Sequence, residues 1–177
     1  ATEAVDYTAI GTTLTIPAGD TTVTIPVTVI DDNLVETAGE TVIVTLTGTD
    51  TAVTLDTTVA TVTISDDDAS AVSIAATNQA SEPNSNGLFT VSLTNAVSTD
   101  TEVTFTVTGT AAEAVDYTAI GTTVTIPANT TTATIPVTVI DDSLVETAGE
   151  TVIITLTGTD TAVTLDTTVA TVTISDD

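Results

Sequence analysis

The stretch from Ile135 to Leu156 reads IPVTVIDDSLVETAGETVIITL, and it contains both the alternation and the charge that decide the fold. Apolar residues alternate with polar or small ones from Ile135 to Val139, which is the period of a half-buried β-strand. A second alternating run follows and ends at Leu156. We therefore predict two strands joined by a loop that holds four acids: Asp141, Asp142, Glu146 and Glu150.

The same arrangement occurs from Ile25 to Leu46, within a long internal repeat. Residues 1–67 align with residues 111–177 without a gap, at an offset of 110, and differ at only seven positions. Each difference is mild: Thr2/Ala112, Leu14/Val124, Gly19/Asn129, Asp20/Thr130, Val23/Ala133, Asn33/Ser143 and Val44/Ile154. Near-identical copies at this period predict tandem modules of ordinary domain size.

The boundary between the modules is predicted at the acidic run of residues 66–68. Residues 69–177 then form one complete module, and residues 1–68 contain only the last four strands of another, whose first three we expect to precede Ala1. Short alternating strands between turns rich in Gly, Asn, Asp and Pro are typical of a β-sandwich. The seven candidate strands are 70–76, 88–94, 102–108, 122–127, 131–140, 151–157 and 168–174.

The composition excludes several functions. The 177 residues include no Lys, Arg, His, Cys, Met or Trp, and the net charge is −25. Without a cation the chain cannot neutralise the phosphates of nucleic acid, and no apolar run approaches the roughly 20 residues of a membrane-spanning helix. Zinc sites and nucleophilic triads lack their usual ligands and bases. Oxygen ligands remain, and they suit calcium.

Four spaced motifs resemble the Calx-beta domain across essentially the whole chain: DYT, T[LV]TIPA, IPVTVIDDxLVE and the closing TVTISDD. The resemblance implies an immunoglobulin-like β-sandwich that binds Ca²⁺ between loops at one end. In the complete module it implies the ligands Glu82, Asp116, Asp141, Asp142, Glu146, Glu150, Asp176 and Asp177. In the first module it implies Asp6, Asp31, Asp32, Glu36, Glu40, Asp66, Asp67 and Asp68, with no equivalent of Glu82.

The residues themselves support a metal site at the paired acids. Adjacent carboxylates without any cation repel one another, and the pairs fall at strand ends, where a sandwich gathers its loops. Isolated acids are better interpreted as solvated turn residues, namely Asp50, Asp56, Asp100, Asp160 and Asp166. Catalysis of the glycosidase type also uses two carboxylates, but it needs a sugar-binding cleft, and the chain has only two Tyr and two Phe.

From these observations we expect a non-catalytic, calcium-stiffened rod or fibre of tandem modules, as in extender regions of secreted bacterial adhesins, surface filaments or biofilm proteins. Its partners would be neighbouring modules of the same chain or identical chains, which could complete the first module by strand complementation. The alternative is a calcium-sensing regulatory domain of a larger membrane or surface protein. Transmembrane segments in the flanking sequence would favour that alternative, and more repeats would favour the rod.

Overall fold

The computed structural model describes residues 1–36, 38–49, 53–143, 149–159 and 163–176. The chain divides into two compact units. Unit 1 comprises Ala1–Asp32 and Ala38–Asp66, and unit 2 comprises Asn33–Thr37 and Asp67–Asp177. The division follows the repeat boundary except for residues 33–37, which precede that boundary in sequence and cluster with unit 2.

Unit 2 consists of two β-sheets. One sheet has the order β10-β3-β5-β8 and the other β4-β11-β9-β6-β7. The strands are β3 (Ala71–Asn78), β4 (Ala80–Ser81), β5 (Gly87–Leu93), β6 (Thr101–Gly109), β7 (Thr123–Ile126), β8 (Thr132–Val137), β9 (Glu150–Thr159), β10 (Thr164–Leu165) and β11 (Val169–Ser175). All seven candidate strands of the sequence are present, and the all-β fold class is confirmed. The two-residue strands β4 and β10 were not predicted.

Alternation along the strands builds the core of unit 2. In β5 the residues Gly87, Phe89, Val91 and Leu93 are buried, and the residues between them are half-buried. The same period buries Val152, Ile154 and Leu156 in β9. Branched aliphatic side chains fit this pleated surface well, and they supply most of the core because aromatic residues are scarce. Pro136 lies in β8, at the edge of its sheet, as expected for a residue without a backbone donor.

Unit 1 has less regular structure than unit 2, although residues 1–67 nearly repeat residues 111–177 of unit 2. In the described residues of unit 1 two strands, β1 (Glu40–Thr45) and β2 (Val59–Ile64), pair antiparallel. Residues 13–16 and 22–27, which correspond to β7 and β8, form no strand. The chain around Asp6 is nevertheless held as in unit 2, since Tyr7 bridges Val29 just as Tyr117 bridges Val139.

One sequence difference between the repeats has a direct structural reason. Gly19 has a φ of 93° and Asn129 a φ of 61°, so both copies place a left-handed residue in this turn. Glycine adopts that conformation freely, and asparagine is one of the few other residues that tolerate it.

The part of the chain that the structure describes contains no helix long and apolar enough to cross a membrane.

Candidate metal centre

Three of the candidate ligands of unit 2 occupy neighbouring positions in the sheet register where β4 and β11 end. These strands run parallel, with Ser81 opposite Ser175, so Glu82 and Asp176 directly follow paired positions. The backbone N–H of Glu82 donates a hydrogen bond to the carbonyl oxygen of Ser175 (2.9 Å). Glu150 begins β9 opposite Ile174, two residues before Asp176. The sheet register therefore places these acids at one end of the sandwich.

The loops of Asp116 and Asp141 are joined by a backbone hydrogen bond. The N–H of Ile140 donates to the carbonyl oxygen of Asp116 (2.9 Å), so Asp141 follows a residue bonded to Asp116. The side chain of Asp116 is oriented by the N–H of Ala112, which donates to its Oδ2 (2.5 Å). These loops lie at the end where β8 finishes and β5 begins, because Gly87 pairs with Val137.

Gly87 connects the two groups of loops. A Cβ added at Gly87 would lie 3.3 Å from the Cβ atoms of both Ala80 and Val137. The ends of β4 and β8 are therefore close together. Glu82 and Asp176 directly follow strand ends in this region, Glu150 begins β9, and Asp116 and Asp141 lie in the loops beside the end of β8. Asp142 follows Asp141 and completes the group.

Burial separates the described candidate acids of unit 2 into three classes. Glu82 and Asp116 are 7% and 5% exposed. Asp176 and Glu150 are half-buried, and Asp141 and Asp142 are exposed. Glu146 and Asp177 lie outside the described residues. Among the described residues of unit 2, no three carboxylates approach one another within 4.8 Å.

Burial of a carboxylate is unfavourable unless a cation or a metal compensates for its charge. The sequence has no Lys, Arg or His to do so. The negative charge is also felt by Tyr117, whose pKa is raised above its ordinary value of 10.0 by burial and then by the nearby carboxylates of Glu113 and Asp116. Buried oxygen donors without cationic side chains fit a hard divalent ion such as Ca²⁺, which takes 6–8 oxygen ligands.

In unit 1 the loop that carries Asp6 is held in the same way as the Asp116 loop of unit 2. The N–H of Ile30 donates to the carbonyl oxygen of Asp6 (2.9 Å), and the N–H of Thr2 donates to its Oδ2. Asp6 is buried and Glu40 half-buried, and they have carboxylate oxygens within 4.8 Å of each other. Two carboxylates this close are a partial site for a cation.

The remaining candidate acids of the first repeat are divided between the units. Asp31 and Asp32 are exposed in unit 1, and Asp66 is half-buried there. Glu36 and Asp68, both half-buried, and the exposed Asp67 belong to unit 2.

Polar residues outside the acidic motifs also hold the loops in place. The Oδ1 of Asn86 accepts from the N–H of Val139 (3.1 Å), and the Oε1 of Gln79 accepts from the N–H of Thr173 (2.6 Å). Sequence reasoning did not select them, since a lone amide in a turn carries no pattern. Asp100, which we interpreted as a solvated turn residue, is exposed, and its Oδ1 accepts from the N–H of Ala128 (2.8 Å).

The fold and this end of unit 2 define an all-β module with an acidic, oxygen-rich loop cluster. The Calx-beta domain model matches residues 1–68 and 70–177, so the chain belongs to the Calx-beta family. This is a family of calcium-binding domains, and Ca²⁺ is therefore confirmed as the expected ion at the level of the family.

Solved structures support the same fold. The apo-form Calx CBD1 domain is 23% identical, with a TM-score of 0.51 over 60% of this chain and 97% of its own length. CBD12 from CALX1.2 is 22% identical, with a TM-score of 0.50 over 59% of this chain and 44% of its own length. No curated protein matched the chain in the corresponding search.

Proposed function

We propose that this chain is a non-catalytic, calcium-binding structural repeat of an extracellular array, a rod or fibre such as an adhesin extender, a surface filament or a biofilm component. The observation that carries the proposal is the burial of Glu82 and Asp116 at one end of a module that has no cationic side chain. A divalent ion bound there would relieve the repulsion between the carboxylates. It would also hold together loops that belong to both sheets.

The array part of the proposal rests on the repeat. Seven mild differences between residues 1–67 and 111–177 indicate copies that perform the same task rather than specialised domains. In a tandem array each module contacts mainly its neighbours, so stiffness accumulates along the chain. Localisation outside the cell, in a secreted bacterial surface protein, suits modules whose calcium affinity need be only about 10⁻⁴–10⁻³ M.

A second candidate is a calcium-sensing regulatory domain within a larger membrane or surface protein. The likeness of this chain to the apo-form Calx CBD1 domain favours it, because that likeness covers 97% of the CBD1 domain. The two functions differ in what calcium changes. A structural repeat gains stability and stiffness, whereas a sensor changes conformation over a narrow range of calcium concentration.

A calcium titration of the chain, followed by thermal unfolding and small-angle scattering, tests the proposal. We expect the melting temperature of unit 2 to rise with free calcium. A free calcium concentration of 100 times Kd would raise the free energy of unfolding by about 2.7 kcal/mol. The maximum dimension should change gradually or not at all. An unchanged melting temperature in calcium and in chelator would refute calcium binding, and an abrupt change in dimension would favour the sensor.

A matched pair of variants locates the effect. Asp116→Asn removes one buried charge from the loop cluster, and Asp166→Asn removes an exposed charge just before β11, at the opposite end of that strand. We expect Asp116→Asn to abolish most of the calcium-dependent rise in melting temperature and Asp166→Asn to retain it. Equal responses would mean that calcium acts by general screening and not at this site.

A further inference from the structure

Unit 2 contains one core residue that comes from the preceding sequence repeat. Val35 lies in the middle of the first acidic loop, between Asp32 and Glu36. It is only 4% exposed, and it belongs to the hydrophobic core cluster of unit 2. It is paired with Val97, which lies in the connection between β5 and β6 and is 1% exposed.

The backbone of Val35 is also held in unit 2, by hydrogen bonds to residues 96 and 98. Val35 and Val97 form a parallel β-bridge. The N–H of Val35 donates to the carbonyl oxygen of Ala96 (2.9 Å), and the N–H of Ser98 donates to the carbonyl oxygen of Val35 (2.9 Å). Both polar backbone groups of a buried residue are therefore satisfied by the segment Ala96–Ser98, as burial requires.

Unit 2 holds that receiving segment in place through its own contacts. The N–H of Asn129 donates to the carbonyl oxygen of Val97 (2.8 Å). The buried hydroxyl of Ser70 donates to the carbonyl oxygen of Asn95 (2.7 Å), and the Nδ2 of Asn95 donates to the carbonyl oxygen of Ala69 (2.9 Å). These bonds connect the segment to the start of the module and to the β7–β8 turn, and none of them involves a carboxylate.

We propose that residues 95–98 are a receptor for the acidic-loop segment of the preceding repeat, and that this docking forms without metal. The occupant is the LVE segment of residues 34–36, with Val35 as its anchor. Backbone amides, backbone carbonyls and two valine side chains supply the recognition. Calcium at the neighbouring acids is not needed for it, so the docking should persist whether or not calcium binds.

Hydrogen exchange of individual amides in the full chain tests the docking. In excess chelator, the amides of Val35 and Ser98 should exchange at least about tenfold more slowly than amides of exposed loops, because both donate within a buried bridge. The Asn129 amide reports whether the receptor itself is folded. Rapid exchange of Val35 and Ser98 in chelator, with Asn129 still protected, would overturn the proposal.

Two charge-matched variants complete the test. Val35→Asp places a carboxylate in the buried bridge, and Val169→Asp adds the same charge at a position that is exposed at the start of β11. Val35→Asp should accelerate exchange of Ser98 by about ten- to a hundredfold while Asn129 remains protected. Val169→Asp should leave Ser98 unchanged.

A gentler substitution guards against general unfolding by the charge. Val35→Ala should accelerate Ser98 exchange by about three- to tenfold, because part of the buried apolar surface is lost. If neither Val35 variant alters Ser98, or if Val169→Asp alters it equally, residues 95–98 are not a receptor for this segment.

Discussion

Residues 13–27 and 123–137 differ at four positions only, yet they have different structures. In unit 2 this stretch supplies β7 and β8, and Ile126 is 1% exposed. In unit 1 it forms no strand, and Ile16, at the same repeat position, is 51% exposed. The difference lies in the partners, since β7 pairs with β6 and β8 with β5, and the described part of unit 1 has no counterpart of β5 or β6. Alternation alone is thus not sufficient for a strand, because the segment also needs a partner strand.

The strongest test of this comparison supplies the missing partners. A variant chain with a second copy of residues 69–110 joined ahead of Ala1 should convert residues 13–16 and 22–27 into strands. Burial of each large apolar side chain, such as Leu14 or Ile16, contributes about 1.5–3 kcal/mol, so unit 1 should gain several kcal/mol. Amide exchange over residues 13–27 and binding of a hydrophobic dye would measure the change.

The same extension with Asp in place of the copies of Phe89 and Val91 is the control, because both residues are fully buried in β5. That control should leave residues 13–27 exposed. If the unaltered extension also leaves them unprotected, the comparison between the two units does not depend on strand partners.

A smaller effect is expected from removal of the same side chain in each unit. Ile126→Ala should destabilise unit 2 by about 2–5 kcal/mol, as is usual for truncation in a packed core. Ile16→Ala should change the stability of unit 1 by less than about 0.5 kcal/mol, because its side chain is half exposed. Urea unfolding monitored by amide exchange in each unit separates the two. Similar losses at both positions would contradict the difference in burial.

The smallest effect on stability is expected at two equivalent glycines, one directly before β1 and one directly before β9. A Cβ at Gly149 would lie 2.9 Å from Cγ2 of Thr173, and a Cβ at Gly39 would lie 3.4 Å from Cγ2 of Thr63. Gly149→Ala should therefore destabilise its unit by about 1 kcal/mol or more through overpacking. Gly39→Ala should be nearly neutral. A thermal scan of both variants checks the order, and a greater loss at Gly39 would reverse it.

The strands of unit 2 were predictable because their burial follows from period-two alternation that is printed in the sequence. β4 was not, since Ala80–Ser81 form a strand only through parallel pairing with β11, almost a hundred residues later. The failure of residues 22–27 to form a strand has the same origin. Local pattern determines which face of a segment is apolar, and the long-range partner determines whether that face is covered.

The candidate acids were selected from their charge and spacing, and their burial could not be predicted in that way. The absence of every cationic side chain marks the paired acids as unusual. The local sequence does not distinguish the buried Asp116 from the exposed Asp141, because the burial of each depends on how their loops fold. The structural roles of Asn86 and Gln79 likewise depend on strands that meet only in the folded module.

The position of Val35 has a consequence for how such a gene can grow or shrink. The 110-residue period is a unit of copying, but the cooperative unit extends further, because the core of unit 2 includes a residue that precedes the acidic boundary. Deletion or duplication of one whole period preserves a valine-bearing loop ahead of each receiving segment. A cut at residues 66–68 instead separates Val35 from its partners. We therefore expect the fold to tolerate recombination in register, and we expect a division at residues 66–68 to leave the core position of Val35 unfilled.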